Sequence, residues 1–155
     1  DQIAAVFNPE NDRDCADNTV GPDDIIANVF YVDTVDGISA LNCRGFNLES
    51  NSWIGVGQPL VDGVESLQIL YRVELPVGDS FSYVSADDVT DWADVTAVRV
   101  AVLVNNGQEI GSGNLETRTF TLLDAGPFSL TDKHERQVYS TTITLNNVIY
   151  ADPGK

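Results

Sequence analysis

Few side chains here could do covalent or proton-transfer chemistry: one histidine, His134, two cysteines, Cys15 and Cys43, and two lysines, of which the second is the terminal Lys155. A nucleophile or general-base relay needs such groups held against packed partners. His134 lies within TDKHERQ, a charged stretch that reads as a solvated loop, which supplies no partners for a triad. The patterns GxSxG, HExxH, Walker loop and GxGxxG do not occur. Carboxylates are plentiful, with 17 Asp against 7 Glu, so some pairs fall within reach of each other by chance, and none is marked as the buried acid and base of a glycosidase. The group Asp87, Asp88, Asp91 and Asp94 reads as capping and solubilising. No catalytic and no cofactor-binding residue is assigned, and the expectation is a protein that is not an enzyme.

The nearest approach to a metal site is NPENDRD, where Asn8, Glu10, Asp12 and Asp14 alternate in the manner of oxygen ligands to calcium. It lacks the glycine at the sixth place and the bidentate glutamate at the twelfth of a helix-loop-helix calcium site. The cysteines have neither CxxC spacing nor a nearby histidine, which argues against zinc and thioredoxin-like chemistry. They read as free thiols in a cytosolic chain and as a disulfide in an exported one, closing a loop worth roughly 3 to 4 kcal/mol in the chain-entropy model. The disulfide is the preferred reading. Among the aromatics, Trp53, Trp92, Tyr83 and Phe128 could stack on sugars if they shared an exposed face. Trp92, ahead of a Val-rich strand, is instead expected to wedge a helical turn against the sheet, and Trp53 is the more plausible surface aromatic.

The elements that would position these residues are short strands. The 155 residues suit a single domain, 1–155, and the net charge of −16 is spread along the chain, repelling phosphate backbones and anionic headgroups. Nucleic acid is therefore not an expected partner. No window reaches the 18 apolar residues of a membrane-crossing helix and no signal peptide is visible. The chain begins at Asp1 and contains no Met, so it reads as processed or as a fragment.

In VESLQILYRVEL, residues Leu67, Ile69, Tyr71, Val73 and Leu75 share one face, predicting a half-buried strand. In TAVRVAVLV both faces are apolar, with only Arg99 interrupting, which predicts a central strand. IIANVFYV and GISALNC flank DTVDG, whose Asp36-Gly37 is a hairpin signal. Residues 1–7 carry Ile3, Val6 and Phe7 at helical spacing, predicting the last turn of a helix. Ser85 and Asp88 resemble a capping box over one or two helical turns from Ala86 to Trp92. ETRTFTLL and VYSTTITL are further strands, with DAGPFSLTDKHERQ as a long loop between them. The expected fold is mainly β, with antiparallel sheets, possible two-layer packing and one or two short helical turns.

The order QPLVDGVESLQILY, then YVSADDVTDWADVTAVRVAVLV, then RQVYSTTITLNN at 136–147, resembles the globular domain of PilW-type minor pilins of the type IV pilus. The resemblance implies an α+β pilin-like class in which a truncated N-terminal hydrophobic helix would pack along one face of the sheet. It places Leu60, Val64, Leu67, Leu70 and Tyr71 on a core strand, and Trp92, Val95, Val98 and Arg99 on a second element. Leu67, Tyr71, Trp92, Val98 and Arg99 are the expected structural anchors. A cysteine near the end of an early strand, as at Cys43, also fits that family. Two departures stand out: Arg72 followed by ELPVGDSF where family members often read LYG-V-D, and Leu145-Asn146-Asn147 where they commonly end LRN. The implied role is that of a structural subunit priming pilus assembly, with a place in a tip complex. Its partners would be other minor pilins and the major pilin, and no cofactor is implied. Its location would be periplasmic or extracellular, with inner-membrane anchoring before assembly through the missing helix alone. The alternatives are a J-type minor pseudopilin of type II secretion and an acidic β-rich adhesin or carbohydrate-binding domain.

Overall fold

The computed structural model describes residues 1–7, 12–75, 80–110 and 114–145. Eleven strands in chain order are β1 (Gln2–Phe7), β2 (Ile26–Val35), β3 (Ile38–Asn47), β4 (Ser52–Trp53), β5 (Gln58–Asp62), β6 (Val64–Glu74), β7 (Phe81–Val84), β8 (Val95–Glu109), β9 (Glu116–Leu122), β10 (Ala125–Asp132) and β11 (His134–Thr144). Every pairing among them is antiparallel. The protein is thus mainly β. Among the described residues helix is confined to two three-residue 3-10 turns, Ala86–Asp88 and Trp92–Asp94, and no helix is long and apolar enough to cross a membrane.

Three layers result. The central sheet runs β11-β8-β6-β7, the first outer sheet β1-β2-β3-β4 with β5 also on β3, and the third layer is the β9–β10 hairpin. On the central sheet, Leu67, Ile69 and Val98 pack against Ile3, Val32 and Leu41 of the first outer sheet. On its opposite face, Ala101, Leu103 and Val138 pack against Phe120, Leu122, Phe128 and Leu130 of the hairpin. Each fully buried aliphatic side chain of this kind contributes about 1.5 to 3 kcal/mol. The doubly apolar pattern of β8 follows from this layering, since it lies between β6 and β11 with one layer on each side.

The β2–β3 hairpin turns at Asp36 (φ 51°) and Gly37 (φ 79°), pairing Val35 with Ile38 as a two-residue loop with left-handed central residues requires. Elsewhere the structure departs from the sequence reading. Residues Gln2–Phe7 form a strand on β2, not the last turn of a helix, because the edge of β2 offers their backbone six register pairs. The expected half-buried β6 is covered on both faces, with Leu70 buried opposite Leu67 and Ile69. The supposed loop DAGPFSLTDKHERQ holds β10 and the start of β11, so His134 begins a strand and is half-buried. Ser85 donates its hydroxyl to the Asp88 carboxylate and makes no side-chain bond to a backbone N–H, so the capping box does not form.

Candidate assembly surface

Gly63 joins the two large sheets. Its N–H donates to Ser39 O on β3 at 2.7 Å, and its carbonyl accepts from Asn105 N on β8 at 2.8 Å. The residue adopts φ 83°, a left-handed conformation that glycine enters without penalty.

Beside this link a polar cluster ties the hairpin layer to the central sheet. Arg136 on β11 has its side chain 5 % exposed and engages Glu65 of β6 through Nε and Nη2, and Asp132 of β10 through Nη1 (2.7 Å) and Nη2 (2.6 Å). Asn105 donates to Glu65 Oε1 at 2.6 Å, and Asp132 also accepts from His134 N at 2.9 Å. Hydrogen bonds from Arg136 and from the His134 backbone hold the Asp132 carboxyl well below the usual carboxylate range. Its two carboxylate partners push the Arg136 guanidinium above its already high value, first through Asp132 and then through Glu65. Such a fork-shaped cation satisfied on both sides fixes geometry more than it adds net stability.

His134 completes no relay with this cluster: its Nδ1 is buried and has no hydrogen-bond partner, while the neighbouring acids are committed to Arg136. Cys15 and Cys43 form a disulfide, with Cα atoms 6.0 Å apart. The bond pins residues 12–24 over one end of the first outer sheet, where Asn28 Oδ1 accepts from Cys15 N at 3.0 Å. Of the calcium candidates, Asn8 and Glu10 lie outside the described residues. Asp14 is buried and accepts from Ala16 N, Asn18 N and Asn18 Nδ2 at 2.8 to 2.9 Å, so its oxygens organise the loop. Among the described residues no three His, Cys, Asp or Glu side chains gather as metal ligands.

The aromatics do not form one stacking face. Trp92 is exposed over part of its surface and meets Tyr71 edge-on at 4.9 Å, whose phenol is pushed up by burial. It therefore braces the turn against β6 from outside the core. Trp53 is 48 % exposed on another sheet, edge-on to Phe46 at 5.2 Å with Arg44 over its ring at 5.0 Å. Tyr83 is half-buried on β7 beside Arg99 at 5.7 Å, and Phe128 packs in the hairpin layer. Leu67 and Val98 lie in the core between the sheets, with Tyr71 packed against them.

An open surface remains on the central sheet. On the face toward the first outer sheet, β11 presents Tyr139, Thr141 and Ile143 opposite Val102, Val100 and Val98 of β8. The first outer sheet packs on β6, so Tyr139 and Ile143 remain 60 % and 50 % exposed while Val100 and Val102 are half-buried. Sequence reading found the strand and missed this exposure, because alternation shows which residues share a face and not whether another layer reaches it.

A family model described as type IV pilus-assembly protein W matches residues 29–147, spanning β2 through β11 and both packed layers of the central sheet. The chain belongs to the PilW family. The match covers the strands that carry the polar cluster and the open face, and leaves β1 and Cys15 outside it. Searches of curated proteins and of solved structures gave no match. Membership of the PilW family gives the protein a role related to type IV pilus assembly, an association with other pilus components and a place in the cell envelope.

Proposed function

We propose that this chain is the globular head of a minor pilin, a structural subunit that primes type IV pilus assembly within a complex of minor pilins that stands at the fibre tip. The supporting observation is a PilW match over 29–147 on a β scaffold that leaves an apolar strip of its central sheet, Val100, Val102, Tyr139 and Ile143, open. Such a strip has use only when another surface covers it. In the pilin-like α+β arrangement a hydrophobic helix preceding Asp1 anchors the precursor in the inner membrane and later packs in the fibre, while this strip, with loops and strand edges, meets sister minor pilins and the major pilin. The role is one of fit and not of turnover. The family match favours this reading over a stand-alone sugar-binding domain.

Two experiments test it. Reading the coding sequence upstream of Asp1 should show a short basic leader, a glycine at the cleavage point and about twenty apolar residues; an ordinary cleavable signal in their place contradicts the proposal. Affinity capture from an envelope extract should recover pilus subunits, and recovery of secretion-machine subunits would assign the chain to the J-type pseudopilins.

A further inference from the structure

We infer that the free edge of β11 is a strand-addition site, where an extended segment of another pilus component pairs with the central sheet; the inference builds on the minor-pilin reading. Among the described residues β11 pairs only with β8, so along Gln137–Thr144 one row of its N–H and C=O groups has no strand partner. Folded proteins usually protect such an edge with charge, proline, bulges or shortness. Most other edges of this protein show those devices: β7 has four residues, β5 carries Pro59 and Asp62, β9 carries Glu116 and Arg118, and β10 has Pro127 at a bulge and ends on Asp132, while the uncharged edge strand β1 is only six residues long. On β11 the run Gln137–Thr144 has none of them. It reads QVYSTTIT, without a charged residue in a chain of 32 charged residues, and all of it except Val138 is exposed. Its Val, Tyr, Ile and four Ser or Thr residues favour extended pairing.

The partner follows from the same residues. A strand laid along this edge would place alternate side chains beside Tyr139, Thr141 and Ile143 on one face and beside Ser140, Thr142 and Thr144 on the other. It therefore alternates apolar or aromatic residues with small hydroxyl or amide residues. It carries no acid, because this head already holds a net charge of −16. The same charge disfavours a second copy of this chain, since two such heads repel each other. Backbone pairing supplies the affinity and the apolar strip supplies the register.

Amide hydrogen exchange on the intact chain, alone and with the soluble domains of the major pilin and of each other minor pilin from the same organism, tests this, with sedimentation measuring binding independently. In the free chain, alternate amides of Gln137–Thr144 should exchange fast at every concentration, and a binding pilin domain should slow those amides on the order of 100-fold. The variant Thr141→Lys, which adds charge to the edge, should weaken binding and leave the melting temperature unchanged. Four outcomes overturn the inference. Binding that leaves these amides fast spares the pilin reading, and failure of every pilin domain to bind removes both. Protection growing with concentration would assign the edge to a second copy, and protection in the free chain that vanishes on deleting residues 148–155 would assign it to the chain's own tail.

Discussion

Replacing Gly63 with alanine should break the link between the two large sheets, and Gly37→Ala provides the internal control. Both glycines are left-handed, at φ 83° and φ 79°, so each substitution carries a similar backbone strain of about 1 to 2 kcal/mol. Their surroundings differ. A Cβ on Gly37 meets nothing within 4 Å, whereas a Cβ on Gly63 falls 2.7 Å from Asn105 O and 3.2 Å from Asn105 Oδ1. A backbone oxygen cannot stay at that distance, so the strand must move and weaken the Asn105 N to Gly63 O and Gly63 N to Ser39 O bonds, each worth about 0.5 to 1.5 kcal/mol. The expected loss is about 1 to 2 kcal/mol for Gly37→Ala and about 2 to 4 kcal/mol for Gly63→Ala. In a chain of this length each kcal/mol lowers the melting temperature by about 2 to 4 °C. Differential scanning calorimetry of the two variants should therefore separate them by several degrees. Equal melting temperatures would show that Gly63 is an ordinary turn residue and that the sheets are held by core packing alone.

Three further outcomes follow from the same structure. Arg136→Ala strands Glu65 and Asp132 beside each other and should cost about 3 kcal/mol in urea unfolding, with most of it recovered when Glu65→Gln and Asp132→Asn are added; failure of that rescue would mean that Arg136 acts through packing. The Asp132 carboxyl is depressed by its partners, so its contribution is present above the ordinary value of 3.8 and is lost as pH falls below about 4. Melting temperature should accordingly drop more steeply with acidification in the native chain than in Asp132→Asn, and parallel curves would contradict the ion pairing. Alkylation should add mass only after reduction, and reduction should lower stability by roughly 3 to 4 kcal/mol; two thiols labelled in the untreated protein would exclude the Cys15–Cys43 bond.

The strands were legible wherever local pattern decides structure. Val98, Val100 and Val102 against Ala97, Ala101 and Leu103 marked β8 as a strand with a layer on each side, and Asp36-Gly37 marked the β2–β3 hairpin. The 1–7 segment was not legible, because Ile3, Val6 and Phe7 suit a helical stripe as well as an edge strand, and the choice is made by the backbone of β2. The ion cluster was equally hidden: Glu65 and Arg136 are 71 residues apart, and only the β6-β8-β11 order brings them together. Its one local trace was Asp132 and Arg136 in DKHER, which reads as a solvated charge run. The buried surroundings of Arg136 come from the β9–β10 hairpin, whose second strand the Gly-Pro sequence disguised as a loop. The open strip on β8 and β11 depends on how far the first outer sheet reaches, a property of the layers and not of either strand.

The most direct test of the head as an assembly surface is the affinity of its soluble pilin partners for the native chain and for the double variant Tyr139→Asp, Ile143→Asp, measured by calorimetry. Both side chains are more than half-exposed or close to it, so folding should be unchanged within about 0.5 kcal/mol. Two charges set in a desolvated apolar contact should weaken binding at least about 10-fold. Unchanged affinity in a folded double variant would contradict the assignment of this face to pilus assembly.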